Sequence, residues 1–319
     1  MSTSASSSPA LTLESVSKSF GPTKAVDNVS FEVAPAELFG VIGPDGAGKT
    51  TTLRTICGLL KRDAGRIRLF GADPWSDRKV ATSSIGYLSQ HFSLYGDLSI
   101  DENIAFFARA HNVHDFVARR SRLLSLTGLE PFRNRLAERL SGGMKQKLAL
   151  ACTLVHQPRM LVLDEPTTGV DPVSRREFWK LLAEFLSEGL TIVLATPYLD
   201  EAERCGRVVL LNEGRVLALD APARLQREGE GVVLEIVVTP PRQALTVLRP
   251  MLGDDAVQLF GDRIHAHVNT VDDSAPVRAA LEAAGCRVAN VRRILASLED
   301  VFIERLAVAR RKQESGAVA

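Results

Sequence analysis

The sequence lacks the features that usually mark membrane-spanning or strongly charged proteins. Its 39 basic and 38 acidic side chains nearly cancel, which leaves a net charge of +1. This balance argues against a nucleic-acid partner bound through a basic surface. Its longest apolar stretches, such as Leu148–Val155, fall far short of the roughly 20 residues that a membrane-spanning helix needs. We therefore expect no nucleic-acid partner and no membrane-spanning segment.

Cysteine is also scarce, and the start of the chain is rich in serine. The 4 cysteines lie far apart and form no Cys-x-x-Cys pair, which favours buried, reduced thiols over a disulfide framework or a metal site. Residues 1–10 are rich in serine and contain neither a basic nor an apolar stretch. We expect a disordered tail there rather than a signal peptide.

The pattern of apolar residues predicts an α/β protein. Apolar runs at 38–42, 160–164 and 191–196 indicate buried strands. Helices are expected over 49–60 and 172–188, and this alternation implies a mainly parallel sheet.

Two changes of pattern divide the chain. Residues from about 91 to 157 have apolar and charged residues at helical spacing, which predicts a helical subdomain. The first domain is expected to span 11–228. Residues 229–319 follow the order strand, helix, strand, strand, helix, strand, which is typical of a small ferredoxin-like domain.

A glycine-rich loop follows the first buried strand. The segment Gly43-Pro-Asp-Gly-Ala-Gly-Lys49-Thr50 matches G-x-x-x-x-G-K-[ST] and precedes a predicted helix. Backbone N–H groups of such a loop and helix start can cradle phosphates. Lys49 should reach the β- and γ-phosphates, and the Thr50 hydroxyl should bind Mg²⁺. The predicted phosphate-binding residues are Gly43, Pro44, Asp45, Gly46, Ala47, Gly48, Lys49, Thr50 and Thr51.

An acidic pair ends the apolar run Met-Leu-Val-Leu-Asp164-Glu165-Pro. Asp164, at the end of a buried strand, can bind Mg²⁺ directly or through water. Glu165 can polarise the water that attacks the γ-phosphorus. An acidic pair that merely caps a turn is the alternative, and the phosphate-binding loop makes it the weaker one.

A second anion-binding pattern identifies the family that the chain resembles. In Leu140-Ser-Gly-Gly-Met-Lys-Gln146, a capping serine and two glycines open a helix. One nucleotide needs only one phosphate-binding loop, so the second element indicates the nucleotide of a second protomer. The segment resembles the LSGGQ signature of ABC ATPases, with Met144 in place of the usual Gln. Ser141, Gly142 and Gly143 are retained.

The resemblance covers residues 11 to about 226 and implies further site residues. Phe20 falls where the family has an aromatic residue that stacks on adenine, with packing in the core as the alternative. Gln90 matches the glutamine that contacts Mg²⁺ and the helical subdomain, with a plain surface glutamine as the alternative. Asp171 matches the loop that crosses to the other protomer, and it can also cap the helix that starts at Pro172.

One position departs from the family pattern. A histidine usually follows the strand at 191–196, but this chain has Pro197, which offers no imidazole to the γ-phosphate. Locally Thr196 can cap a helix whose first position is Pro197. The resemblance therefore implies an ATPase whose turnover is low.

These features together predict a fold, a function and partners. The expected fold is a P-loop ABC ATPase core with an antiparallel β subdomain, a helical subdomain and the small C-terminal domain. The resemblance implies an ATP-binding subunit of a bacterial exporter that hydrolyses MgATP at a dimer interface. Its partners would be a second ATPase protomer and a separate membrane permease at the cytoplasmic face of the cell membrane.

Two alternatives stay open at the level of sequence. One is a soluble ABC ATPase that does not act in transport. The other is a cassette that binds ATP and dimerises but hydrolyses poorly. Pro197 argues for this alternative, and Glu165 argues against it.

Overall fold

The computed structural model describes residues 8–90, 94–228 and 231–317, without the side chains of 255 and 310–317. The chain forms two compact units, Met1–Val216 and Leu217–Ala319. In the described part of the chain, no helix is long and apolar enough to cross a membrane. The predicted tail falls mostly outside the described residues, but Ala10 is buried and its N–H donates to the Val33 carbonyl, so the fold includes it.

The first unit contains a three-stranded antiparallel sheet in the order β2-β1-β4. Apolar residues such as Leu11, Leu13 and Val29 are fully buried along these strands. The strands are β1 (Leu11–Phe20), β2 (Thr23–Val33) and β4 (Ala64–Leu69).

A second sheet has six strands and positions the site. Its order is β5-β6-β7-β3-β8-β9, and β5, β6, β7, β3 and β8 run parallel. Their carboxyl ends therefore meet at one edge, where ligands of open α/β sheets bind. The strands are β3 (Leu38–Ile42), β5 (Ile85–Leu88), β6 (Met160–Asp164), β7 (Thr191–Thr196), β8 (Arg207–Asn212) and β9 (Arg215–Asp220).

The first unit also contains helices, including those of the segment from about 91 to 157 that was predicted to be helical. They are α1 (Lys49–Ile56), α2 (Arg78–Ser84), α3 (Ile100–Ala110), α4 (Val117–Thr127), α5 (Gly142–Leu154), α6 (Pro172–Ser187) and α7 (Leu199–Ala202).

Two helix predictions were wrong in detail. The helix expected to reach residue 60 ends at Ile56, because the chain turns at Gly58 (φ +67°), where a Cβ would lie 2.2 Å from the Pro74 carbonyl. Pro197 does not open α7, which begins at Leu199. The Thr196 hydroxyl is engaged elsewhere, donating to Glu201 and accepting from the Tyr198 N–H.

The second unit has the predicted ferredoxin-like fold. Its four-stranded antiparallel sheet has the order β11-β12-β10-β13. Leu234, Ile236 and Ile264 of the sheet pack with Leu248 and Leu281 of the helices in one core. The elements are α8 (Pro222–Leu225), β10 (Val232–Thr239), α9 (Pro241–Leu252), β11 (Val257–Phe260), β12 (Arg263–Val268), α10 (Ser274–Ala283), β13 (Arg287–Ile294) and α11 (Leu298–Ala317).

Candidate nucleotide-binding site

The glycine-rich loop joins β3 to α1 at the carboxyl edge of the sheet. Gly46 and Gly48 have φ values of +79° and +97°, which favour glycine over other residues. A Cβ on Gly48 would lie 2.2 Å from the Ala25 carbonyl oxygen, so the close packing also requires glycine there. Gly48 occupies the N-cap position of α1 and has no side chain to satisfy the first N–H groups. Those donors are suited to a phosphate.

The Lys49 ammonium is held at the base of this loop. Its Nζ donates to the carbonyls of Gly43 at 2.9 Å and Pro44 at 3.0 Å. It also lies 3.2 Å from Glu165 Oε1, and the side chain is only 4% exposed. A buried cation in a loop of N–H donors complements the charge of a phosphate.

Asp164 ends β6 beside the start of α1. Its Oδ1 accepts from the Thr50 hydroxyl at 3.0 Å, and its Oδ2 accepts from the Tyr87 hydroxyl at 3.2 Å. Burial raises the pKa of this carboxyl group above its usual value, although both hydrogen bonds oppose that effect. A hydroxyl next to a carboxylate is the oxygen donor set that Mg²⁺ prefers. Thr50 and Asp164 therefore fit the role of residues that would hold a Mg²⁺ ion.

Glu165 follows Asp164 and turns into the same cleft. Its φ is +50°, and its N–H donates to the Ala195 carbonyl of β7 at 2.9 Å. Strain of this kind is common where a functional side chain must be aimed. Its Oε2 accepts from Gln90 Nε2 at 3.0 Å, while Oε1 faces Lys49. Gln90 thus contacts Glu165 rather than Asp164.

Loop residues 45–51, Glu165 and Phe20 line one cleft of about 560 Å³, whereas Asp164, Gly43 and Pro44 are not among its lining residues. Phe20 is 52% exposed, so the alternative that it packs in the core is wrong. An exposed aromatic ring at the rim can stack on a base. The lining residues are Phe20, Ala25, Asp45, Gly46, Ala47, Gly48, Lys49, Thr50, Thr51, Gln90, Glu165, Thr168, Pro197 and Tyr198.

A second group of predicted residues lies outside that lining. Ser141 caps α5 and accepts from the Met144 N–H at 3.3 Å. Asp171 caps α6 and accepts from the N–H groups of Val173 and Ser174. Among the described residues, Ser141, Gly142, Gly143 and Asp171 do not line the cleft that holds Lys49.

The starts of α5 and α6 lie close together at Gly143 and Ser174. A Cβ on Gly143 would lie 2.2 Å from Ser174 Oγ, and Asp171 Oδ2 would be 3.8 Å away. Glycine is required here because α5 meets the start of α6 so closely.

The structure adds a network around Glu201 that sequence patterns did not indicate. This buried carboxylate accepts from the hydroxyls of Thr167 and Thr196 and pairs with Arg175 Nε at 3.0 Å. It therefore ties the segment after Glu165 to the segment that holds Pro197. A lone acidic residue in a short helix carries no spacing signal, so only the fold reveals this role.

Tyr87 is the second residue that was missed. It stands on the short strand before Gln90, and its hydroxyl binds Asp164. The parallel pairing of that strand with β6 was not predicted. That pairing is what places the Tyr87 hydroxyl beside the acidic residue.

Known proteins are similar to this chain in sequence and fold. A model of the ABC transporter family matches residues 26–168. The probable multidrug ABC transporter ATP-binding protein YbhF of Escherichia coli is 39% identical over 306 residues, which cover 93% of this chain. This chain spans 52% of the length of that relative.

Two further relatives match over most of their own length. The Nod factor export ATP-binding protein I of Paraburkholderia xenovorans is 38% identical over 92% of this chain and 96% of its own. A bacterial ABC transporter cassette solved as a dimer is 26% identical, with a TM-score of 0.60, over 66% of this chain and 98% of its own.

Proposed function

Since the chain belongs to the ABC transporter family of ATP-binding proteins, we propose that it binds and hydrolyses MgATP to drive export through a separate membrane permease. One observation carries this proposal. Lys49, Thr50 and Glu165 line a single cleft of about 560 Å³, and the Thr50 hydroxyl donates to Asp164. Two motifs that are 114 residues apart in sequence are thereby in contact, which supports a shared phosphate and Mg²⁺ site.

The residues of the site would have different roles in hydrolysis. The loop N–H groups and Lys49 would hold the β- and γ-phosphates, while Phe20 stacks on adenine. Thr50, Asp164 and Gln90 would hold a Mg²⁺ ion, which when bound would supply positive charge opposite the phosphates. Glu165 would orient and polarise the attacking water.

The contacts of Lys49 and Glu165 indicate how the substrate prepares the site. In the structure the Lys49 ammonium faces the Glu165 carboxylate at 3.2 Å. A γ-phosphate that draws Lys49 towards itself would leave Glu165 to accept from a water molecule. Binding of the nucleotide would then free the general base.

A second protomer completes the site in this proposal. Ser141, Gly142, Gly143 and Asp171 lie outside the cleft lining of the described chain, yet α5 opens with a capping serine and two glycines. Such a helix start suits the γ-phosphate held by a partner. The dimeric cassette at 26% identity supports this arrangement. A homodimer and a heterodimer would both satisfy it.

Transport and location follow from the relatives. The name of one relative refers to multidrug transport and that of another to Nod factor export. We propose an exporter subunit, attached at the cytoplasmic face of the cell membrane through its permease. The transporter names favour this function over that of a soluble ABC ATPase outside transport.

Pro197 supports a second candidate, a cassette that binds ATP but hydrolyses it slowly. Pro197 lines the cleft beside Lys49, Glu165 and Thr168. Its ring can neither donate a hydrogen bond nor carry charge, so Glu165 would act without the help of an imidazole.

Purification from detergent-solubilised membranes tests the function. We expect a polytopic membrane protein to co-purify with the chain and ATP turnover to depend on Mg²⁺. The Glu165→Gln variant should slow hydrolysis by roughly 10²–10⁴-fold, because it removes the general base. It should also form a dimer that persists in MgATP. Wild-type protein that purifies without a permease and binds no ATP would contradict the proposal.

A further inference from the structure

Tyr87 lies between Asp164, the carboxylate that is proposed to bind Mg²⁺, and a separate cavity. It lies on β5, which pairs in parallel with β6, and Tyr87 is opposite Val162, two residues before Asp164. Its side chain is half-buried, and its hydroxyl donates to Asp164 Oδ2 at 3.2 Å. The hydroxyl therefore reaches the carboxylate that is proposed to bind Mg²⁺.

Both oxygens of Asp164 are fixed by this arrangement. Oδ1 accepts from Thr50 and Oδ2 accepts from Tyr87, while the side chain is 1% exposed. Thr50 is itself a proposed metal ligand, so its hydroxyl has to serve the ion as well. Of the two donors, Tyr87 alone has no other proposed role and can hold the plane of the carboxylate steady. Hydrogen bonds of this kind orient ligating carboxylates and are worth roughly 10- to 100-fold in metal affinity or activity.

The ring of Tyr87 faces a different space. Tyr87 lines a cavity of about 220 Å³ together with other residues of β5, residues of α2, α3 and α5, and the turn that follows α1. Cys57 at the end of α1, Phe107 of α3 and Thr82 of α2 contribute to that lining. One rigid side chain thus reaches from this cavity to the metal carboxylate.

We propose that Tyr87 is a positioning residue that holds Asp164 in the orientation required by the metal ion and transmits changes in the cavity to it. The inference rests on the proposed function, because it takes Asp164 as a Mg²⁺ ligand. A purely structural role would be limited to satisfying a buried carboxylate. It would change the stability of the protein and leave the affinity for the metal intact.

The test measures metal binding rather than turnover. Mn²⁺ replaces Mg²⁺, and free Mn²⁺ is followed by its paramagnetic resonance signal in the presence of full-length protein and ATP. Fluorescent ATP binding in EDTA reports nucleotide affinity without the metal. The matched control is Tyr95→Phe. Among the described residues, the Tyr95 hydroxyl has no hydrogen-bond partner and the ring is 44% exposed.

We expect Tyr87→Phe to weaken Mn²⁺ binding roughly tenfold, with nucleotide affinity in EDTA unchanged and Tyr95→Phe like wild type. Mn²⁺ affinity in Tyr87→Phe equal to that of wild type would overturn the positioning role. Wild-type protein that binds no nucleotide in EDTA would instead count against the proposed function, so the two failures are distinguishable.

A second variant tests the link to the cavity. Thr82 is exposed at the edge of the cavity, so Thr82→Trp can fill it without disturbing the core. We expect a shift of roughly threefold or more in Mn²⁺ affinity in the wild-type background and no shift in the Tyr87→Phe background. This comparison isolates the coupling between the two positions. Equal shifts in both backgrounds, or none in wild type, would overturn the link.

Discussion

Lys49 is the cation on which the proposed phosphate site depends. It is almost fully buried and contacts two loop carbonyls and Glu165. Lys49→Ala should lower MgATP turnover by roughly 10²–10³-fold, a range seen when one donor to a developing charge is removed. Titration with fluorescent ATP measures the affinity of the variant, and a phosphate-release assay measures its turnover. Unchanged affinity together with unchanged turnover would rule out the assignment of the loop.

Pro197 is the residue at which this chain departs from its family. It lines the cleft, and the next N–H, that of Tyr198, already donates to Thr196. Pro197→His should raise ATP turnover, because an imidazole could contact the γ-phosphate. The comparison is made with and without the permease, at saturating MgATP. A histidine variant that is no faster in either setting would show that Pro197 does not limit the reaction.

At the scale of elements, the local motifs could be predicted from the sequence, but the contacts between distant segments could not. The loop before α1, the acidic pair at the end of β6 and the caps of α5 and α6 each follow from residue types at short spacing. The Glu201 network and the Tyr87 contact depend on which strands pair and how segments fold back. Strand pairing and the return of these segments are set by tertiary packing. Neither Tyr87 nor Glu201 stands in a sequence pattern that predicts its contacts.

The start of α11 gives a prediction for one element. Asp300 and Ser297 form reciprocal bonds, with Asp300 Oδ2 accepting from the Ser297 N–H at 2.8 Å and the Ser297 hydroxyl accepting from the Asp300 N–H at 3.1 Å. Asp300 also accepts from His265 Nδ1 at 3.1 Å, which fixes α11 to β12. Burial alone would raise the pKa of Asp300, but bonds from His265, His267 and Ser297 hold it well below its usual range.

Asp300→Asn should therefore lower the free energy of unfolding by about 1–3 kcal/mol at neutral pH. The folded-state pKa is depressed, so the contribution of Asp300 is present above the unfolded value of about 3.9 and is lost as pH falls below it. The difference from wild type should shrink in acid. Thermal unfolding of the full chain at several pH values measures it, and Glu299→Gln, an exposed neighbour, is the control. An equal loss in both variants would mean that the capping bonds are not responsible.

For the whole molecule, the two units have separate candidate roles. All residues that line the proposed nucleotide cleft belong to the first unit, and the second has its own core. We propose that 229–319 form an accessory domain that supports the dimer or its regulation. A chain shortened to 1–228 should fold and bind ATP with wild-type affinity. Isothermal titration decides this, and a shortened chain that is folded by circular dichroism yet binds no ATP would refute it.

The four cysteines, Cys57, Cys152, Cys205 and Cys286, are all buried and unpaired. Burial raises the pKa of Cys57, Cys152 and Cys205, in the last case to about 12. Thiolates are the reactive form, so these side chains should not react with maleimides in the folded protein. A single cysteine introduced on the surface would then take the only label. The natural chain is thus ready for spectroscopic distance measurements between protomers, without prior removal of its own thiols.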